Sequence, residues 1–175
     1  PIRTASVWAR DAGKAHTVAA ELSQELGFDV RAVQDAGAAI RAADVIVTTT
    51  PATSPVLEAD WLQPGQHVTA MGSDQEHKNE IDAACFSKAD LYVPDRLSQT
   101  RILGELRSAI AAGLISADTD FAELGTIVAG IAPGRIAPDQ ITIADLTGAG
   151  VQDTAIATHA RLRASHAGLG TNFES

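Results

Sequence analysis

The sequence has one cysteine, few aromatic residues, no run of basic residues and no long apolar run. Phe, Trp and Tyr make up 4% of its 175 residues, which favours helices packed on a sheet over an aromatic-rich β-sandwich. The single cysteine, Cys85, excludes a disulfide within the chain and predicts a reducing compartment, the cytoplasm. Its alanine-rich surroundings are typical of a core position rather than of a nucleophile.

The charge balance and the apolar runs exclude two classes of partner. The formal net charge is −9 with no basic cluster, so we expect neither nucleic acid nor an anionic membrane to bind. No apolar segment approaches the roughly 20 residues that a membrane-spanning helix needs. The chain begins at Pro1 rather than at Met, within a predicted strand, and we expect it to be a fragment of a longer protein.

The sequence does contain a regular alternation of short strand-like and helix-like segments. Strands are predicted at residues 2–8, 28–33, 45–49, 68–71, 91–93 and 141–144, and helices at 12–26, 36–43, 81–88, 98–114, 121–129 and 151–165. Such alternation predicts an α/β fold with a doubly wound parallel sheet. None of these strands is followed by the glycine-rich turn that holds a dinucleotide pyrophosphate. We therefore expect a Rossmann-type sheet that lacks its first strand and that turn.

Two strands of this sheet carry further predictions. The β-branched run at 45–49 predicts a strand that is buried on both faces. The stretch His67–Glu80, HVTAMGSDQEHKNE, starts as a strand, breaks at Gly72 and opens into charged residues, as at a strand end that faces a ligand crevice. Asp74 could move protons there if burial or negative neighbours raised its pKa, and Lys78 could neutralise it or contact a cofactor. An ordinary strand followed by a solvated loop is the alternative.

Polar residues also follow the first predicted strand and the third. After the first, Asp11 could bind the ribose 2′-hydroxyl of NAD and Arg10 could accommodate the 2′-phosphate of NADP. A surface ion pair at the start of a helix, with Asp11 as its cap, is equally consistent. After the third strand, the hydroxyls of Thr48, Thr49 and Thr50 could bond ribose or phosphate oxygens. Threonine is also common in strands for steric reasons.

The last predicted strand ends in a further polar group. Asp145 and Thr147 could line the same crevice, or Thr147 could cap the last helix. The histidines are scattered along the chain, and no spacing of His, Cys and carboxylates predicts a metal site.

Four motifs together resemble the ornithine cyclodeaminase/μ-crystallin family. They are VWARD, ADVIVTTTP, WLQPGQHVTAMGSD with its following lysine and glutamate, and DLTG with its following QD. The resemblance runs from Ile2 to about Ala160 and is most specific at residues 64–80. The variants HKNE and DRLSQT are most similar to the ectoine-utilisation branch of this family.

The resemblance implies a domain organisation and an activity. It implies a partial NAD(P)-binding domain over residues 1–165, and a tail, 166–175, that docks on an N-terminal substrate and dimerisation lobe outside this chain. A homodimer would form through that lobe. The implied enzyme removes hydride from the α-carbon of a small amino acid with deamination, and the ectoine branch suggests 2,4-diaminobutyrate. An amino-acid dehydrogenase, a ketimine reductase acting on an imine, and a non-catalytic ligand-binding protein are the alternatives.

Matching the family's motifs position by position implies roles for single residues. Asp74 corresponds to the catalytic aspartate, and Lys78 to a lysine near the cofactor. Arg10 matches a position that selects NADP in some members, and Ala9 stands where NAD-preferring members have an acid, so both NAD and NADP stay open. With those proposed from the residues themselves, the candidate cofactor contacts are Arg10, Asp11, Thr48, Thr49, Thr50, Val68, Thr69, Ala70, Met71, Lys78 and Thr147.

Overall fold

Short strands and helices alternate along residues 2–171 and 173, the part of the chain that the computed structural model describes. The strands are β1 (Thr4–Val7), β2 (Asp29–Ala32), β3 (Val45–Thr48), β4 (His67–Ala70), β5 (Leu91–Pro94) and β6 (Thr142–Asp145). The helices are α1 (Ala12–Leu26), α2 (Ala36–Ala42), α3 (Cys85–Lys88), α4 (Leu97–Thr100), α5 (Leu106–Ala111), α6 (Leu124–Val128) and α7 (Gly150–His166), with a 3₁₀ turn at Ala59–Trp61. The described residues do not include Pro1 of the predicted domain, nor Asn172, Glu174 and Ser175 of the predicted tail.

The strands form two parallel sheets rather than one continuous sheet. β1 pairs with β2, while the other four strands follow the order β3-β4-β6-β5. In the larger sheet Val47 lies opposite Thr69, which lies opposite Ala144. The parallel α/β arrangement confirms the predicted fold class. The interruption between the two sheets agrees with a Rossmann-type sheet that lacks its first strand.

Local sequence signals set the limits of the first helix. Asp11 caps α1, its Oδ1 accepting a hydrogen bond of 3.1 Å from the backbone N–H of Lys14. At the other end, Gly27 adopts the left-handed conformation, with φ of 70°, that terminates helices. The predicted limits, residues 12–26, are therefore those of the structure.

The core lies on one face of the larger sheet. Val68 of β4 and Ile143 of β6 are fully buried against Leu57 and Leu106. The prediction that the 45–49 strand is buried on both faces is wrong for this chain, because Val45 and Val47 are more than half exposed. β3 is an edge strand, and the described residues cover only one of its faces.

The helix predicted at 98–114 is divided into α4 and α5. A Cβ on Gly104 would lie 2.7 Å from Oδ2 of Asp145, and the N–H of Leu106 donates to that same oxygen at 3.2 Å. The buried carboxylate thus lies directly against Gly104, between α4 and α5, and it accepts a hydrogen bond at the start of α5. The helix predicted at 81–88 is likewise reduced to α3, because Ile81 forms a β-bridge with Leu57.

Asp145 should make the protein less stable as the pH rises from about 4 to about 7. Burial raises the pKa of this carboxyl to about 7, against 3.8 ordinarily, although the Tyr92 hydroxyl donates to it at 2.7 Å. In this range the folded protein holds a proton that the unfolded chain has released. Unfolding free energy therefore falls with rising pH, by up to about 4 kcal/mol.

Urea unfolding of the full-length protein between pH 4 and 8 measures this dependence. We expect Asp145→Asn to flatten it, because the amide cannot titrate. The exposed Asp118→Asn variant should keep the wild-type slope. Equal slopes for wild type and Asp145→Asn would show that Asp145 does not titrate in this range.

Candidate functional site

A cavity of about 340 Å³ lies at the carboxyl ends of β3 and β4. In open α/β sheets this edge is where ligands bind. The segments that follow the two strands provide its lining, which consists of Thr49, Thr50, Pro51, Met71, Gly72, Asp74 and Lys78. Five residues predicted from the sequence therefore come together here: Thr49, Thr50, Met71, Asp74 and Lys78.

Asp74 and Lys78 form an ion pair at the mouth of this cavity. Nζ of Lys78 lies 2.5 Å from Oδ1 of Asp74, whose side chain is 49% exposed. The hydrogen bond from Lys78 lowers the pKa of Asp74. The condition considered for Asp74, a pKa raised by burial or by negative neighbours, is not met, since the carboxylate is half-exposed and its nearest charged partner is a cation. At neutral pH Asp74 is therefore ionised, and the hydrogen bond from Lys78 makes it a weaker base than a free aspartate.

The Glu80 carboxylate is fully buried beneath the cavity. It accepts hydrogen bonds from the Thr48 hydroxyl at 2.6 Å, from the Gly72 N–H at 2.7 Å and from the Thr50 N–H. Glu80 thereby connects the segments that follow β3 and β4. In the sequence, Glu80 is part of the family motif at residues 64–80 but receives no role of its own, and the signal that could have singled it out is its place next to the apolar Ile81.

A second buried carboxylate, Glu105, supports the segment that carries Asp74. It accepts hydrogen bonds from the Ser73 hydroxyl, from Nδ2 of Asn79 at 2.5 Å and from the Glu80 N–H at 2.8 Å. Burial raises the pKa of Glu105. Glu105 is not among the residues predicted from the sequence, because position 105 lies inside the helix predicted at 98–114 and its partners are distant in the chain.

Several predicted cofactor contacts do not line the cavity. The Thr48 hydroxyl is taken up by Glu80, and the side chains of Val68 and Ala70 are buried in the core. Thr69 lies on the opposite face of the sheet, where it lines a separate cavity of about 390 Å³. The alternation of side chains along a strand explains this division, since consecutive residues point to opposite faces.

The polar residues at the end of β6 and just after it, Asp145 and Thr147, form hydrogen bonds away from the cavity. Thr147 donates to Asp95 through its N–H at 2.9 Å and its hydroxyl at 3.0 Å. It is not the cap of α7, which begins at Gly150. Asp145, expected in the crevice, is instead buried against Tyr92 and the start of α5.

Arg10 and Asp11 follow β1 in the two-stranded sheet. Arg10 is exposed, and Asp11 caps α1, as the alternative interpretation of this pair predicts. Neither residue belongs to the lining of the cavity after β3 and β4.

Parallel strands with a cavity at their carboxyl edge are the arrangement found in Rossmann-type domains. More particularly, the chain belongs to the ornithine cyclodeaminase/mu-crystallin family, whose model matches residues 1–168. The comparison confirms the resemblance seen in the motifs. A protein of Rhizobium meliloti named as a dehydrogenase is 62% identical over 175 residues, which are 100% of this chain and 53% of that protein. The chain thus spans about half the length of the curated relatives it matches.

Solved structures of related proteins share this fold. An archaeal alanine dehydrogenase dimer with bound NAD has a TM-score of 0.87 at 32% identity, over 99% of this chain and 53% of that one. The Δ1-pyrroline-2-carboxylate reductase of Thermococcus litoralis, in complex with NADH and L-proline, has a TM-score of 0.91 at 27% identity, over 98% of this chain and 53% of that one. Among the residues described here, every helix is too short or too polar to cross a bilayer.

Proposed function

We propose that this chain supplies the cofactor site of an NAD(P)-dependent enzyme that transfers hydride at the α-carbon of a small amino acid or imine. The observation that carries the proposal is the Asp74–Lys78 pair in a cavity at the carboxyl edge of a parallel sheet. The related structures with bound NAD, and with NADH and L-proline, support it.

The lining of the cavity fits one end of a dinucleotide. Thr49 and Thr50 bring hydroxyl and backbone groups, Lys78 brings a positive charge, and Met71 brings an apolar surface on which a flat ring can lie. When bound, the nicotinamide ring accepts or returns the hydride. Both NAD and NADP are candidates, and direct titration with NADH and NADPH distinguishes them.

Asp74 would act as the proton acceptor for the substrate. An α-ammonium group must lose a proton before its α-carbon can release hydride, and the Asp74 carboxylate is the group in the cavity lining that can accept that proton, although the hydrogen bond from Lys78 makes it a weaker base than a free aspartate. Lys78 holds the carboxylate in its charged form and fixes its position. A non-catalytic binding protein would not require such a pair next to the ligand, which favours the enzyme.

For the whole protein we propose deamination as the net reaction, with a small diamino acid such as 2,4-diaminobutyrate as substrate. The similarity of the HKNE and DRLSQT segments to the ectoine-utilisation branch supports this choice. A dehydrogenase or imine reductase is the second candidate, favoured by the names of the related structures.

One assay separates these reactions. The full-length protein is incubated with NAD or NADP and 2,4-diaminobutyrate, while NAD(P)H and ammonia are both measured. Deamination with recycling of the cofactor should release ammonia without accumulation of NAD(P)H, whereas a dehydrogenase should release both in equal amounts. L-Alanine is tested in the same way. With L-proline, whose oxidation to a cyclic imine releases no ammonia, a dehydrogenase should yield NAD(P)H alone. Binding of NAD(P)H without turnover of any small amino acid or imine would contradict the proposed function.

We further propose the domain organisation implied by the family. Residues 1–165 would form the partial NAD(P)-binding domain, and residues 166–175 would dock on a substrate lobe through which two copies form a homodimer. Exposed apolar side chains near the end of the chain, Leu169 and Phe173, support docking. A cytoplasmic location fits Cys85, a buried thiol whose pKa burial raises to about 12.

A further inference from the structure

We infer that Glu80 is a positioning residue, one that sets the spacing of the two segments between which the cofactor would bind. The inference rests on the proposed function and goes beyond it, because Glu80 itself lies beneath the cavity and is not among its lining residues. Its carboxylate joins the Thr48–Thr50 segment after β3 to Gly72 after β4.

The hydrogen bonds of Glu80 hold its carboxylate in one position. Both oxygens are engaged: Oε2 by the Thr48 hydroxyl and the Gly72 N–H, and Oε1 by the Thr50 N–H. Three donors are thus aimed at one buried carboxylate. None of the ion pairs among residues 2–171 and 173 involves Glu80, so these hydrogen bonds are what hold the carboxylate in place.

The backbone of Glu80 is held as firmly as its side chain. Its N–H donates to Glu105 at 2.8 Å, and its carbonyl accepts from the N–H groups of Val56 at 2.7 Å and Leu57 at 3.1 Å. Because the origin of the side chain is fixed on both sides, the carboxylate can set the spacing of the segments it binds. Hydrogen bonds from residues beneath a binding site keep the residues that line it in their productive geometry.

Gly72 leaves the space that this carboxylate occupies. A Cβ at position 72 would overlap both Cδ of Glu80 and the carbonyl oxygen of Thr50. The absence of a side chain therefore lets the two segments and the carboxylate approach closely. The cavity residues Asp74 and Thr50 each lie within two residues of these contacts, so a displaced Glu80 would displace them.

Glu80→Gln in the full-length protein tests this role. In either orientation the amide NH₂ would face a backbone N–H, that of Thr50 or that of Gly72, so the segments should separate. We expect the Kd for NADH, measured by fluorescence titration at pH 7.5, to rise about 10-fold to 100-fold. Hydrogen exchange at the Thr50 and Gly72 amides, measured without cofactor, should become faster.

Asp145→Asn is the matched control. It also replaces a fully buried carboxyl by an amide, but the partners of Asp145 are Tyr92 and the backbone N–H groups of Glu105 and Leu106, and none of these residues lines the cavity. Its Kd for NADH and its exchange at Thr50 and Gly72 should equal those of the wild type. Glu80 has no positioning role if Glu80→Gln changes neither the Kd for NADH nor the exchange at Thr50 and Gly72. The same conclusion follows if Asp145→Asn changes the two quantities as much as Glu80→Gln does. The role of Glu80 and the proposed function are tested separately. Hydrogen exchange requires no enzyme activity, whereas the proposed function is tested by turnover of the wild type.

Discussion

Asp74→Asn should lower the kcat of the full-length enzyme by about 10²-fold to 10⁴-fold, the range for loss of a positioned acid or base. The amide cannot accept a proton, yet it has nearly the size of the carboxylate and can still accept a hydrogen bond from Lys78. The affinity for NAD(P)H should therefore change little. Steady-state kinetics with the best substrate found, together with NADH titration, separate the loss in kcat from any loss in binding.

Glu76→Gln is the control for this variant, since it removes an exposed carboxylate two residues further along the same segment. It should turn over as fast as the wild type. Lys78 lowers the pKa of Asp74. The apparent pKa of the acid limb in the pH profile of kcat/KM should therefore lie below the ordinary pKa of an aspartate. Wild-type turnover by Asp74→Asn would show that another group accepts the proton.

The parts of the fold that the sequence predicts best are those that neighbouring residues determine. α1 begins and ends as predicted because Asp11 and Gly27 act on the backbone within four residues of themselves. The helix expected at 98–114 fails for the opposite reason. At the division lies Asp145, whose carboxylate accepts a hydrogen bond from the N–H of Leu106, 39 residues away along the chain. Local periodicity carries no information about such a contact.

The same distinction explains what could be predicted of the candidate site. The charged loop after Gly72 is visible in the sequence, and so are Asp74 and Lys78, which are four residues apart and meet in the structure. The hydrogen-bond partners of Glu80 and Glu105 could not be predicted from the sequence. The Thr48 donor to Glu80 and the Ser73 donor to Glu105 are each 32 residues distant along the chain. Only the packing of the strands brings these groups together.

Gly72→Ala should destabilise the full-length protein by about 3 kcal/mol, the upper range for adding a methyl group where no space exists. Its Cβ would overlap Cδ of Glu80 and the carbonyl oxygen of Thr50, a backbone atom that cannot rotate away. Urea unfolding measures the loss. The Kd for NADH should rise in the same variant, because both segments that line the cavity must move.

Gly125→Ala provides the comparison, since a Cβ at position 125 in α6 meets no atom within 4 Å. There the substitution should stabilise by up to about 1 kcal/mol through helix propensity. The cost at position 72 should also depend on Glu80. In a Glu80→Ala background one of the two overlaps is removed, so Gly72→Ala should cost less than in the wild type. Equal costs in both backgrounds would show that Gly72 and the Glu80 carboxylate do not compete for the same space.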